Sequence, residues 1–183
     1  MNGTKKRVPD PLVECVIEDA RWTGLGLEAL AERAARATLA DQGLDPVGYE
    51  IACLACDDAR IAVLNADFRA KPTPTNVLSW PSWDMGAKDD GHMPDPAPQG
   101  DPDDPESLGD IALAYDTCAR EAAEQGKALD DHLTHLVVHS VLHLLGYDHI
   151  RDKDAALMEK TEIRILAQLG VANPYDDRAI VPG

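Results

Sequence analysis

The chain has 183 residues, 44% of them apolar, enough to bury one substantial core and within the span of one domain rather than two. Thirty-three Asp and Glu against seventeen Lys and Arg leave a formal net charge of −16, the opposite of what a generic nucleic-acid binder carries. No window approaches the roughly 20 apolar residues that span a bilayer. No basic start with an apolar h-region precedes the four cysteines, so the expectation is a cytoplasmic protein in a reducing compartment, with no membrane partner.

After a polar start, PLVECVIED (residues 11–19) reads as a first strand, and LGLEALAERAARATLA (25–40) repeats apolar positions at helical spacing. VGYEIACLAC gives a second strand, and Asp57 or Asp58 can cap the helix of DDARIAVLNADFR. Cys53 and Cys56 form a CxxC pair, a spacing used in redox centres and zinc sites, but no second pair follows, and buried thiols acting as small hydrophobes are the reading. Prolines at 72, 74 and 81 exclude helix around a short third strand at 76–80. LGDIALAYD is a fourth strand, residues 116–126 look helical, and two further helices follow, 131–145 ended by Gly146 and 152–169 ended by Gly170. The order predicts a single mixed α/β (α+β) domain over 1–183. It should hold a sheet of about four strands, flanking helices and a central histidine-bearing helix. Residues 1–10 and 171–183 are expected to be flexible ends.

The stretch from Asp84 to Glu106 differs in kind, with five prolines, seven Asp, one Glu and only Lys88 in opposition, so that it supplies minus seven of the total charge. It cannot offset its ordering entropy by burying apolar area, and a mobile, solvated surface loop is predicted.

Four of the six histidines fall in HLVVHSVLHLLGYDH, residues 135–149. On a helix, His139 and His143 project from one face about 6 Å apart along the axis, so they can bind one ion together. Gly146 can take a left-handed conformation that ends the helix and brings His149 round to the same ion. Three neutral imidazoles would leave a tetrahedral zinc with one open position, as in catalytic rather than structural sites. His135, four residues before His139, is the competing third ligand, and spacing alone does not separate it from His149. The peptidase signature H-E-x-x-H requires Glu at position 140, where this chain has Ser, so the general base of that chemistry is missing. Asp148 can either bond a ligand histidine or cap the turn after Gly146.

HSVLHLLGYDH resembles the H-G-x-L-H-L-x-G-Y-D-H signature of the YbeY family, bacterial rRNA maturation factors described as metal-dependent single-strand endoribonucleases. LNADFRAKPTPTNVLSWP (residues 64–81) and LGDIALAYD are similar to two further blocks of that family, in the same order. The resemblance implies a compact α/β domain and one metal ion, Zn2+ with nickel or another first-row ion as substitutes, held by His139, His143 and His149. It makes His143 and Arg69 the catalytic residues. The implied partners are single-stranded RNA, the 16S rRNA precursor at its 3′ end, and the ribosome or small subunit with its associated proteins, with no DNA expected. A zinc metallopeptidase-like hydrolase and a non-catalytic ribosome assembly factor are the alternatives. Ser140 replaces the family's usual glycine, and Pro72 and Asn76 stand where aspartates are usual. The acidic balance would be reconciled with RNA if Arg60, Arg69, Lys71, Arg151 and Lys153 gathered at the cleft and the acidic loop faced away. Trp80, Trp83 and Tyr147 are the candidates for stacking bases.

Overall fold

The structure is a computed structural model that describes residues 10–69 and 73–176, with the side chains of residues 68 and 69 outside the description. The sheet contains β1 (Val13–Ile17), β2 (Tyr49–Cys56), β3 (Val77–Pro81) and β4 (Glu106–Ala114). The helices are α1 (Leu27–Asp41), α2 (Asp58–Arg69), α3 (Tyr115–Glu124), α4 (Leu129–Leu144) and α5 (Asp152–Gln168), joined by short 3-10 turns at Ala20–Trp22 and Pro46–Gly48 that the sequence reading did not foresee. Asp57 is the cap of α2, its Oδ1 accepting the Arg60 N–H at 2.8 Å. The strand order is β1-β2-β4-β3, with β1, β2 and β4 parallel and β3 an antiparallel edge. No helix among the described residues is long and apolar enough to cross a membrane.

Side chains alternate across the sheet, and this divides the core. Ile111 and Leu113 of β4 join the main cluster under α1, α4 and α5, whereas Ala112 and Ala114 join a smaller cluster with Ile61 of α2 on the other face. The same alternation parts the CxxC pair: Cys53 belongs to the first cluster and Cys56 to the second, both buried. α1 turns Leu30, Ala31, Ala34, Ala35 and Leu39 inward. Its small side chains let it lie close against α4, which buries Val137, Val138 and Val141 completely.

The LGD block carries a β-bulge. Glu50 pairs with Ser107 but Ile51 pairs with Gly109, leaving Leu108 as the extra residue. Gly109 sits at φ 137°, and a Cβ there would lie 2.2 Å from the Trp80 carbonyl oxygen and 2.8 Å from the Leu144 side chain. Gly109→Ala is therefore expected to destabilise the fold by at least about 3 kcal/mol, read as a lowered urea midpoint. An unchanged midpoint would contradict the bulge geometry.

Residues 84–105 form no helix or strand, but they are laid across the molecule rather than directed away from it. Met85 is buried beneath Gly146, whose φ of 99° and absent Cβ allow the Met85 carbonyl to approach; a Cβ would meet it at 2.7 Å. Arg151 donates to the carbonyls of Lys88 and Ala87 at 2.8 Å each, and Asp154 accepts the Gly91 N–H at 2.8 Å. Farther along, the Tyr49 hydroxyl donates to the Pro98 carbonyl at 2.7 Å, and the Gly48 and Gly100 backbones touch. Of the stretches read as loose ends, residues 1–9 and 177–183 lie outside the described residues.

Candidate metal centre

α4 is apolar on the sides that meet α1 and the sheet, and it presents His132, His135, His139 and His143 at intervals of three and four residues along its remaining face. Acidic Asp130 and Asp131 sit in its first turn, where they favour the helix dipole. Past its end, the Gly146 N–H donates to the His143 carbonyl and the Tyr147 N–H to the Leu142 carbonyl, both at 3.0 Å, which turns the chain back. His149 thereby comes to stand against the helix pair. Ring centroids are 4.5 Å apart for His139 and His143, 5.3 Å for His139 and His149, and 5.0 Å for His143 and His149. One ring nitrogen from each of the three lies within 4.8 Å of the others. Tetrahedral zinc with ordinary Zn–N bonds would need nitrogens about 3.3 Å apart.

The hydrogen-bond partners around this trio aim two ring nitrogens at one point. His143 Nδ1 faces the Tyr147 carbonyl at 2.9 Å, and His139 Nδ1 faces the Glu162 carboxylate at 2.7 Å. Both partners are acceptors, so both Nδ1 atoms carry a hydrogen, and Nε2 is the atom each ring has left to offer an ion. Those two Nε2 atoms are 3.0 Å apart. Burial, with His139 and His149 as neighbours, pushes the His143 imidazole down to about 4, so it is neutral at pH 7 and available as a ligand. At that separation the two atoms can share a proton or, in its place, a divalent cation that would engage His149 as well. The donor set fits the implied metal.

Glu162 of α5 is the residue the sequence reading missed. Its side chain is fully buried, and its carboxylate receives His135 Nε2 and His139 Nδ1, each at 2.7 Å, and the Tyr175 hydroxyl. Burial acts to raise its pKa, but the hydrogen bonds from His135 and His139 outweigh it and hold the carboxyl down at about 2. The signal was present: α5 buries Asp154, Met158, Thr161, Glu162, Ile165 and Leu166, so Glu162 is an acid in the middle of an inward stripe. His135, His139 and Glu162 also cluster closely enough to resemble a metal site. Their mutual hydrogen bonds instead make Glu162 a hub that fixes the tautomer of His139.

Other candidates sort themselves by contact. Asp148 accepts the His149 backbone N–H at 2.7 Å, which is the turn-capping role. Ser140 is buried, its hydroxyl has no hydrogen-bond partner among the described residues, and it lines none of the open space beside the trio. Asn76 donates to Glu121 at 3.0 Å and accepts the Val77 N–H at 2.7 Å, and Glu121 in turn meets His132 at 3.1 Å. An aspartate at 76 could not donate to that carboxylate, so the neutral side chain suits its partner. Arg69 is the last residue of α2, and its side chain, like Lys71, lies outside the described residues. Of the basic residues whose gathering at the cleft would offset the acidic balance, Arg151 lines the cavity beside His143 and His149 but is bound to Asp154 at 2.6 Å, and Arg60 pairs with Glu18 at 3.3 Å. The acidic segment does not face away, because its first part walls a cavity that reaches His143 and His149.

Two cavities flank the histidines. One, of about 790 Å³, runs between the acidic segment and the turn after α4; the other, of about 600 Å³, runs along α4 past Lys127, His132 and His135. Both include Ser79, His143 and His149. An α/β domain with an open three-histidine site between two clefts is the architecture of a metal-dependent hydrolase rather than of a closed structural zinc module. The profile of the family described as Endoribonuclease YbeY matches residues 16–170, and the chain belongs to that family. Endoribonuclease YbeY of Cereibacter sphaeroides is 60% identical over 166 residues, covering 91% of this chain and 99% of that relative. The Dinoroseobacter shibae protein of the same description is 59% identical, covering 90% of each chain, and that of Rhodopseudomonas palustris is 43% identical, covering 93% of this chain and 95% of its own. The solution structure of TM1509 from Thermotoga maritima shares the fold, with a TM-score of 0.51, 20% identity, and coverage of 86% of this chain and 91% of that one.

Proposed function

We infer that this chain is a metal-dependent endoribonuclease that cuts single-stranded RNA in rRNA processing, with the 16S precursor near its 3′ end as the substrate and the small ribosomal subunit as the place of action. The observation that carries the reading is the facing pair of Nε2 atoms of His139 and His143, with His149 beside them, in a chain of this family. His139, His143 and His149 would hold one divalent ion, Zn2+ by ligand type. Such an ion, when bound, supplies Lewis acidity toward a phosphoryl oxygen and lowers the pKa of water.

The protein's own residues do the positioning. The Tyr147 carbonyl and the Glu162 carboxylate orient the two helix histidines, so little reorganisation is needed when a ligand arrives. Arg69 is assigned to the phosphate, because its planar fork matches two oxygens of an anion on which charge builds up during cleavage. No glutamate follows His139, and the residue there, Ser140, is buried outside both cavities, which removes the peptidase base from its customary place. Docking on a ribosomal subunit would supply the address that a chain of net charge −16 does not supply by itself. The four cysteines are all free thiols, in keeping with the bacterial cytoplasm.

Arg69→Ala is the experiment that separates an enzyme from an assembly factor that only docks. The variant is expected to keep its fold and metal content while cleavage of single-stranded RNA falls about 10²- to 10³-fold, the loss typical of removing one preorganised donor to a developing charge. Unchanged cleavage would remove Arg69 from the mechanism. RNA cleavage that survives metal-ligand replacement would leave the docking role as the function.

A further inference from the structure

The larger cavity differs from its neighbour in chemistry. Part of its wall is an apolar surface built from Pro81, Trp83, Met85, Pro94, Ile150 and Leu157. Trp83 is 45% exposed and Ile150 81% exposed. Large apolar side chains this open to solvent are unremarkable when scattered, but these two line one cleft that ends at His143 and His149. Its charged groups do not suit an anion. Arg151, the one guanidinium among the described residues of the wall, is occupied by Asp154 and by the carbonyls of Ala87 and Lys88. Asp84 and Asp148 add negative charge to the same wall. The other cavity is the more polar of the two: Lys127 lines it, beside His132 and His135, whose rings are bound to Glu121 and Glu162.

We propose that the cavity walled by Trp83 and Ile150 is a nucleobase subsite, which receives one unpaired base next to the bond being cut while the backbone crosses the three histidines toward the polar cavity. The proposal rests on the endoribonuclease reading and names what selects the substrate. A base is flat, apolar on its faces and uncharged, so it gains stacking on the indole without meeting the repulsion that a phosphate would meet from Asp84 and Asp148. Its edge amino groups are donors that those carboxylates can accept. A cavity of about 790 Å³ falls in the ordinary range for small-ligand sites and has room for a base with its ribose. A base paired in a duplex cannot turn into it without unstacking, which gives the site a reason to prefer single strands. The acidic segment thereby has a role in recognition: it supplies one wall, and its charge keeps the backbone out.

The test crosses protein variants with substrate variants. Single-stranded RNA oligonucleotides carrying one abasic nucleotide at each position around the cleaved bond are given to the metal-loaded wild type, Trp83→Ala and Ile150→Ser. At one position adjacent to the cut, the abasic change is expected to lower wild-type kcat/KM about tenfold or more, as loss of one stacked base does. Trp83→Ala should lose a similar factor on intact RNA and almost nothing further on the abasic RNA, with metal content unchanged. Ile150 is so exposed that Ile150→Ser keeps the fold, and it should reproduce the pattern more weakly. The same comparison read by fluorescence anisotropy scores the subsite even where no bond is cut, so failure of the subsite and failure of the nuclease reading are distinguishable. Penalties that multiply, an abasic change that costs the wild type nothing at any position, or an apolar peptide that binds in place of RNA would each overturn the proposal.

Discussion

Alanine at position 143 is expected to strip the metal and lower RNA cleavage by at least about 10³-fold, since a catalytic ion contributes several kcal/mol to the transition state. His143 provides one of the two facing Nε2 atoms, and without it only His139 and His149 remain, a pair too weak to hold an ion against competing water. The fold should survive, because the ring's one hydrogen bond within the turn, to the Tyr147 carbonyl, is supported by the backbone bonds around Gly146. His135→Ala is the matched control. Its Nε2 is bound to Glu162 rather than aimed at the trio, so that variant should keep most of its metal. Elemental analysis of protein purified without a histidine tag, beside circular dichroism, reads both results. Loss of metal from the His135 variant with retention in the His143 variant would move the centre to the neighbouring cluster of His135, His139 and Glu162.

Glu162→Gln is expected to lower metal affinity about 10- to 100-fold, the usual effect of disturbing a carboxylate behind a ligand histidine. An amide has one acceptor oxygen and an NH2 that cannot accept, so one of the two imidazole N–H groups now served by the carboxylate loses its partner. His139 is then free to change tautomer and turn its N–H toward the ion. Glu162→Ala goes further and leaves His135, His139 and the Tyr175 hydroxyl without their common acceptor, with an expected loss of about 3–5 kcal/mol in stability. Competition with a chelator of known affinity gives the first quantity and denaturant unfolding the second. Wild-type affinity in the glutamine variant would show that Glu162 serves stability alone.

Much of this was legible in the chain because the punctuation is strong. Gly146 and Gly170 do end helices at φ 99° and 75°, Asp57 does cap one, and the prolines around β3 confine it to a short edge strand. The trio His139, His143 and His149 was visible because two lie one helical turn apart and a glycine turn returns the third. Glu162 was missed because it lies 23 residues beyond its partner His139, and its one signal is its place in the inward stripe of α5. Tyr175 had no signal at all in a stretch read as a loose end. The contacts of the acidic segment were hidden for a physical reason. Composition shows that it cannot build its own core, but not that its carbonyls would accept Arg151 and Tyr49, or that Met85 would fill the space a missing Cβ leaves at Gly146. The bulge at Leu108 and Gly109 was equally hidden, since one inserted residue leaves the apolar pattern of LGDIALA intact.

If the three-histidine centre makes this chain an RNA-cutting enzyme, activity must follow the metal. The most direct measurement takes protein stripped of metal, reloads it with Zn2+, and follows single-stranded RNA spanning the 16S 3′ end and an unstructured peptide mixture in parallel, with His143→Ala carried through the same steps. Cleavage of the RNA that disappears on stripping, returns on reloading, is absent from the variant and is not accompanied by peptide cleavage is the predicted result. Metal-dependent peptide cleavage with intact RNA, or RNA cleavage that the His143 variant retains in full, would contradict it.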